Sequence, residues 1–127
     1  MQLSLRDDLP FVEVELTYQS RKLSIEDVLV DTGSATTILA ADIVAEIQIA
    51  PMPDDDLHII RGVGGREAVF TRVIDNLRVG ERSLTEFEIE VGGMDYGFEI
   101  NGILGMDFLT QAGAIIDLGT LRIEFAR

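Results

Sequence analysis

The sequence predicts a single, mostly β domain with one or two short helices. Three observations carry that reading. Apolar and polar residues alternate with period two along Phe11–Tyr18 and again at Phe87, Ile89 and Val91 among Glu86, Glu88 and Glu90, the signature of half-buried strands. Glycine-bearing turns, at Gly62–Gly65, Gly80, Gly92–Gly93 and Gly119, punctuate those runs at short intervals. Helical spacing replaces period two in only two short places. A chain of 127 residues, 46% apolar and with three prolines, suits one domain burying roughly two-thirds of its unfolded surface rather than a disordered segment. No linker, repeat or low-complexity stretch divides residues 1–127.

Taken in order, the first strand runs from Phe11 to Tyr18, and Gln19–Lys22 is a polar turn. Leu23–Val30 returns as a second strand that delivers Asp31 at its end. From Ile38 the period changes: Leu39, Ile43 and Ile47 stand at i, i+4 and i+8 among alanines, predicting a short helix over about 39–47. Pro51-Met52-Pro53 stops it, and Asp54-Asp55-Asp56 reads as a solvated acidic loop. Two β-prone arms then flank Arg61-Gly62-Val63-Gly64-Gly65-Arg66, predicting a glycine-tipped hairpin over about 58–70. Its second arm continues to Val79, and the Glu86/Glu88/Glu90 strand follows with its carboxylates outward. After Ile103-Leu104-Gly105, Asp107 sits where a helix N-cap would stand, Phe108–Ala112 forms one or two turns, and Gly113 ends them. Ala114–Leu118 and Leu121–Phe125 close the chain as a hairpin around Gly119-Thr120.

Composition removes several function classes. A net charge of −13 disfavours nucleic acid and anionic membranes as partners. No apolar run is long enough to span a membrane, and the first residues lack a basic-then-apolar signal layout. The absence of cysteine excludes disulfides, thiol catalysis and thiolate metal sites, and fits a cytoplasmic setting. No metal site or cofactor is expected. Lone His58 reads as a strand residue, and the triple aspartate lacks the alternation of a calcium loop. The glycines at 62–65 lack the spacing and Lys-Ser/Thr of a phosphate loop. Asp117-Leu118-Gly119-Thr120 reads as a hairpin turn.

One stretch carries chemistry. In Val28-Leu29-Val30-Asp31-Thr32-Gly33-Ser34 a buried strand leads a carboxylate into a tight turn. An ionised Asp there needs donors. Gly33, without a side chain, brings its N–H close, and Thr32 and Ser34 are expected to add hydroxyls.

The order of the features resembles the retropepsin family of aspartic proteases, over about Phe11 to Phe125. Asp31-Thr32-Gly33-Ser34 is similar to the family's catalytic turn, Gly62-Val63-Gly64-Gly65 to its flap tip, and Ile103-Leu104-Gly105 to the apolar-apolar-Gly element behind the turn. Met106-Asp107-Phe108-Leu109 is closer to cellular and bacterial members than to retroviral ones. Retroviral members pair an Asp two residues after the Gly with an Arg after the later Ile-Leu-Gly. Ala35 and Met106 occupy those positions here, so the active-site turn must be braced differently. The resemblance implies a closed β-barrel-like fold and an endopeptidase in which Asp31, Thr32 and Gly33 form the catalytic turn, with Ser34, Ile103, Leu104 and Gly105 supporting it. One Asp-Thr-Gly per chain implies a homodimer whose two Asp31 carboxylates share a proton and activate a water on an extended peptide substrate. Family members pair through their termini, so the hairpin 114–125 is the expected interface, with Met1–Leu9 either joining it or frayed. A non-catalytic member using the same cleft for peptide binding or dimerisation is the other function class these residues allow.

Overall fold

In the computed structural model, which describes residues 1–62, 65–94 and 100–126, the alternating segments become the strands of one barrel. β1 (Ser4–Arg6), β2 (Leu9–Tyr18), β3 (Arg21–Val30) and β4 (Ile38–Ala40) precede helix α1 (Ala41–Val44), which runs into a 3₁₀ turn at Ala45–Ile47. β5 (His58–Gly62), β6 (Gly65–Val79), β7 (Arg82–Gly92) and β8 (Gly102–Leu104) follow, then α2 (Met106–Ala112), β9 (Ala114–Asp117) and β10 (Arg122–Phe125). Neighbouring strands lie in the order β2-β3-β8-β4-β7-β6, and β6 pairs back onto β2 at Glu15–Thr17, so these six strands close on themselves. β1 and β5 extend the sheet at β2 and β6. No helix among the described residues is long and apolar enough to cross a membrane.

Period two decides what the barrel encloses. Val12, Val14, Leu16, Ile25, Val28, Val30, Ile74, Leu77, Ile89, Val91 and Leu104 share one buried cluster, capped by Phe108, Leu109 and Ala112 of α2. Phe108 meets Phe87 of β7 edge to face with ring centroids 5.7 Å apart, an arrangement that adds about 1 kcal/mol beyond its area. Leu29 points to the other face of β3, where it packs with Phe11, Ile100 and Ile103, flanked by Leu9 and Met94.

Several element boundaries differ from the periodic reading for local reasons. The β2–β3 turn is only Gln19-Ser20, both at positive φ (48° and 68°), and the Gln19 N–H donates to Asp75 on β6 at 2.9 Å. The predicted 39–47 helix begins two residues late, because Leu39 and Ala40 are taken into the barrel as β4, between β7 and β8. Tertiary pairing there overrides the helical spacing. Glu86 and Glu88 are exposed on β7 as expected, while Glu90 is half-buried.

The N-terminus is not frayed. Leu3 donates to the Leu121 carbonyl at 2.7 Å, and Ile123 donates to the Met1 carbonyl at 2.9 Å, so Met1–Leu3 covers one edge of β10 while β9 covers the other. At the β9–β10 turn the Thr120 N–H donates to the Asp117 carboxylate at 3.1 Å, and Thr120's backbone and hydroxyl hold that carboxyl below its ordinary range.

Candidate active site

Asp31 follows directly on β3, whose last residues lie parallel to β8 with Val28 opposite Gly102, Leu29 opposite Ile103 and Val30 opposite Leu104. The Asp31 N–H donates to the Leu104 carbonyl at 3.0 Å, extending that pairing by one step before the chain turns. The turn itself is short: the Ser34 N–H returns to the Asp31 carbonyl at 3.2 Å, and the Gly33 N–H donates to the Asp31 carboxylate at 2.8 Å. The carboxylate is half-buried, within reach of solvent yet fixed by a backbone donor. A carboxylate that accepts one N–H keeps lone pairs available for a water, as acid–base chemistry requires.

The expected hydroxyl donors go elsewhere. Ser34 donates to the Thr36 carbonyl at 2.8 Å and so tightens the loop rather than serving Asp31. Thr32 is exposed at the rim of a groove of about 390 Å³ between the turn, α2 and β9. Of the residues read as supporting the turn, Ile103, Leu104 and Gly105 lie beside it. Ile103 and Leu104 form the parallel pairing, and Gly105 lies directly beneath the 34–36 backbone.

Asp107 is not the cap of α2. Gly105 occupies the N-cap position, and Asp107 stands in the first turn, where its carboxylate reaches back 70 residues to Thr37. One oxygen accepts the Thr37 hydroxyl at 2.7 Å and the Phe108 N–H at 2.7 Å; the other accepts the Thr37 N–H at 3.1 Å. The Thr37 hydroxyl in turn accepts the Gly105 N–H at 3.1 Å. With Met106 donating to the Ser34 carbonyl (2.8 Å) and Asp107 to the Ala35 carbonyl (3.2 Å), the segment 104–107 is bonded to the 31–37 loop residue by residue. Thr37 had no signal in the sequence beyond being a Thr in the loop after Asp31.

Across the barrel, β5 and β6 form the glycine-tipped hairpin, paired from His58 opposite Val69 to Gly62 opposite Gly65. Val63 and Gly64, the expected tip, lie outside the described residues, and of residues 58–68 only the backbone is described. At its base Arg72, though a cation, is 7% exposed. It donates to the Asp55 carboxylate at 2.5 Å and to the Ala50 carbonyl at 3.2 Å. The acidic loop is therefore not wholly solvated: Asp55 also accepts the Met52 N–H at 2.6 Å and pins the approach to β5. No three His, Asp or Glu side chains among the described residues converge as a metal site would need.

A closed barrel carries one carboxylate on a glycine turn, with an apolar-apolar-Gly strand beside it. A protein-family profile described as "gag-polyprotein putative aspartyl protease" matches residues 24–111, and the chain belongs to that family of retropepsin-like aspartic proteases. In fold it is similar to a retropepsin-like aspartic protease from Rickettsia conorii, at 18% identity, with a TM-score of 0.68 over 97% of this chain and 95% of that one. No curated protein matches the sequence.

Proposed function

We propose that the chain is an aspartic endopeptidase that works as a homodimer, with Asp31 as the catalytic carboxylate. The observation that carries this reading is the placement of Asp31. It is the carboxylate of an Asp-Thr-Gly turn similar to the family's, half-buried, held by the Gly33 N–H and braced from behind by Leu104 and Gly105. A two-fold partner supplies the second Asp31. Two carboxylates side by side hold one proton between them, so one acts as general base toward a water and the other as general acid toward the scissile carbonyl. The attack forms a tetrahedral diol, which collapses as the amine leaves with a proton, and no covalent enzyme intermediate is needed. The β5–β6 hairpin covers the peptide, and Gly62, Val63, Gly64 and Gly65 are its contact segment.

The surface beside Thr32 supports a second copy as partner. The groove there is lined by Thr32, Met106, Leu109, Thr110, Gly113, Ala114 and Ile116, none of them charged in a chain of net charge −13. Met106 is exposed within it, and β9 pairs on one side with β10 while no other pairing occupies its outer edge among the described residues. The interface expected in the hairpin 114–125 therefore centres on β9 and α2, with β10 shielded by Met1–Leu3. The absence of cysteine fits a cytoplasmic setting.

The test is peptide-library cleavage read by mass spectrometry, comparing wild type with Asp31→Asn from mildly acidic to neutral pH. Cuts are expected from wild type alone, and a transition-state inhibitor of aspartic proteases should block them. Equal cutting by Asp31→Asn, or none by a protein shown to be dimeric, would overturn the proposal.

A further inference from the structure

We infer that Thr37 and Asp107 are positioning residues for the catalytic turn, and that the hydrogen-bond chain they form replaces the ion pair for which Ala35 and Met106 leave no groups. The inference rests on the reading of Asp31 as catalytic. Three features of the geometry separate this chain of bonds from ordinary loop packing.

The first is that it is complete and directional. The Gly105 N–H donates to the Thr37 oxygen, the Thr37 hydroxyl donates to Asp107, and the same carboxylate takes the Thr37 and Phe108 N–H groups. A hydroxyl that both accepts and donates has its proton placed by its neighbours, so the arrangement admits one polarity. The charged acceptor makes three of these bonds stronger than neutral ones.

The second is burial. Thr37 is 0% exposed, so water does not compete for its hydroxyl, and removing it strands the Gly105 N–H and takes from one Asp107 oxygen one of its two donors. The third is what the chain of bonds connects. Thr37 ends the loop that begins at Asp31, and its carbonyl accepts the Glu90 N–H of β7 at 2.9 Å. Asp107 and Gly105 belong to the segment whose Leu104 carbonyl holds the Asp31 N–H. The brace thus joins both ends of the catalytic loop to one rigid element, where a small displacement of a reacting group costs much of its rate.

The experiment compares Thr37→Ser, which keeps every donor and acceptor, with Thr37→Val, which keeps the shape and deletes both. Peptide cleavage, dimer fraction by sedimentation, and hydrogen exchange at the amides of 33–37 and 105–108 are measured on each. Thr37→Val is expected to lower kcat at least tenfold with KM within twofold, and to speed exchange at Gly105 and within the turn, while Thr37→Ser stays within about threefold of wild type on both. Equal kcat and equal exchange in the two variants would overturn the inference. So would a loss in Thr37→Val fully accounted for by fewer folded dimers. If wild type cleaves nothing, the peptidase reading fails by itself, and the exchange comparison alone decides whether Thr37 holds the turn.

Discussion

Gly105 shows how little room the site leaves at the level of single residues. A β-carbon there would lie 2.5 Å from the Thr36 carbonyl carbon and 3.0 Å from the Ser34 oxygen, backbone atoms with no rotamer to change. Either the 31–37 loop lifts off β8 or the Gly105–Thr37 bond breaks. Gly105→Ala should therefore cost about 3 kcal/mol of stability, at the upper end of overpacking effects. It should also remove activity from whatever folded protein remains. Urea unfolding checks the first expectation, and cleavage normalised to folded dimer checks the second. The apolar-apolar-Gly pattern singled this residue out only through the family resemblance, and the close backbone approach is seen in the structure. Asp31 stood out because an ionised Asp at the end of a buried strand needs donors, and because the flanking features follow it in the order of the family it resembles. Thr37 and Asp107 did not, because their meaning lies in contacts across 70 residues. Local grammar gave Asp107 the standard role of a cap, and Ser34 was credited with a bond that its loop geometry sends to Thr36.

At the level of elements, the strands were readable wherever one face is buried and the other wet, since alternation then records the pleat. β4 escaped that reading. Its three residues, Ile38–Ala40, are all buried between β7 and β8, so the segment carries no alternation and passes for the start of a helix. The acidic loop before β5 was misjudged in the same way. Three successive aspartates suggest solvent, yet Asp55 is the partner of a buried arginine on a strand 17 residues away. The Arg72–Asp55 pair fixes how the chain enters the β5–β6 hairpin, and both side chains are largely withdrawn from water at 7% and 14% exposure. Removing one partner leaves the other charged and unpaired. Arg72→Met should thus cost about 3 kcal/mol, whereas Arg72→Met combined with Asp55→Leu should recover a good part of that loss. A double-mutant cycle by thermal unfolding measures the difference, and simple additivity of the two changes would show that the pair is not coupled.

For the whole molecule, charge and assembly oppose each other. Bringing two chains of −13 together places many like charges within a few tens of ångströms, a long-range cost that added salt screens over a Debye length of about 10 Å at 0.1 M. The proposed contact itself is neutral: the residues lining the groove at Thr32, α2 and β9 include no charge that salt could weaken. The two facts give a sign opposite to that of an interface built on ion pairs. Raising sodium chloride from about 0.05 M to about 0.5 M, where the screening length shrinks to a few ångströms, should tighten dimerisation several-fold. At protein concentrations near the dissociation constant, specific activity should rise with it, because an unpaired Asp31 has no partner carboxylate. Sedimentation equilibrium across the salt series measures the association directly. Met106→Glu supplies the local control, since a charge on the groove margin should weaken the dimer and leave the monomer's unfolding temperature nearly unchanged. A dissociation constant that rises with salt would instead mean that charged pairs across the interface hold the dimer together, and the groove beside Thr32 would lose its claim to be the contact.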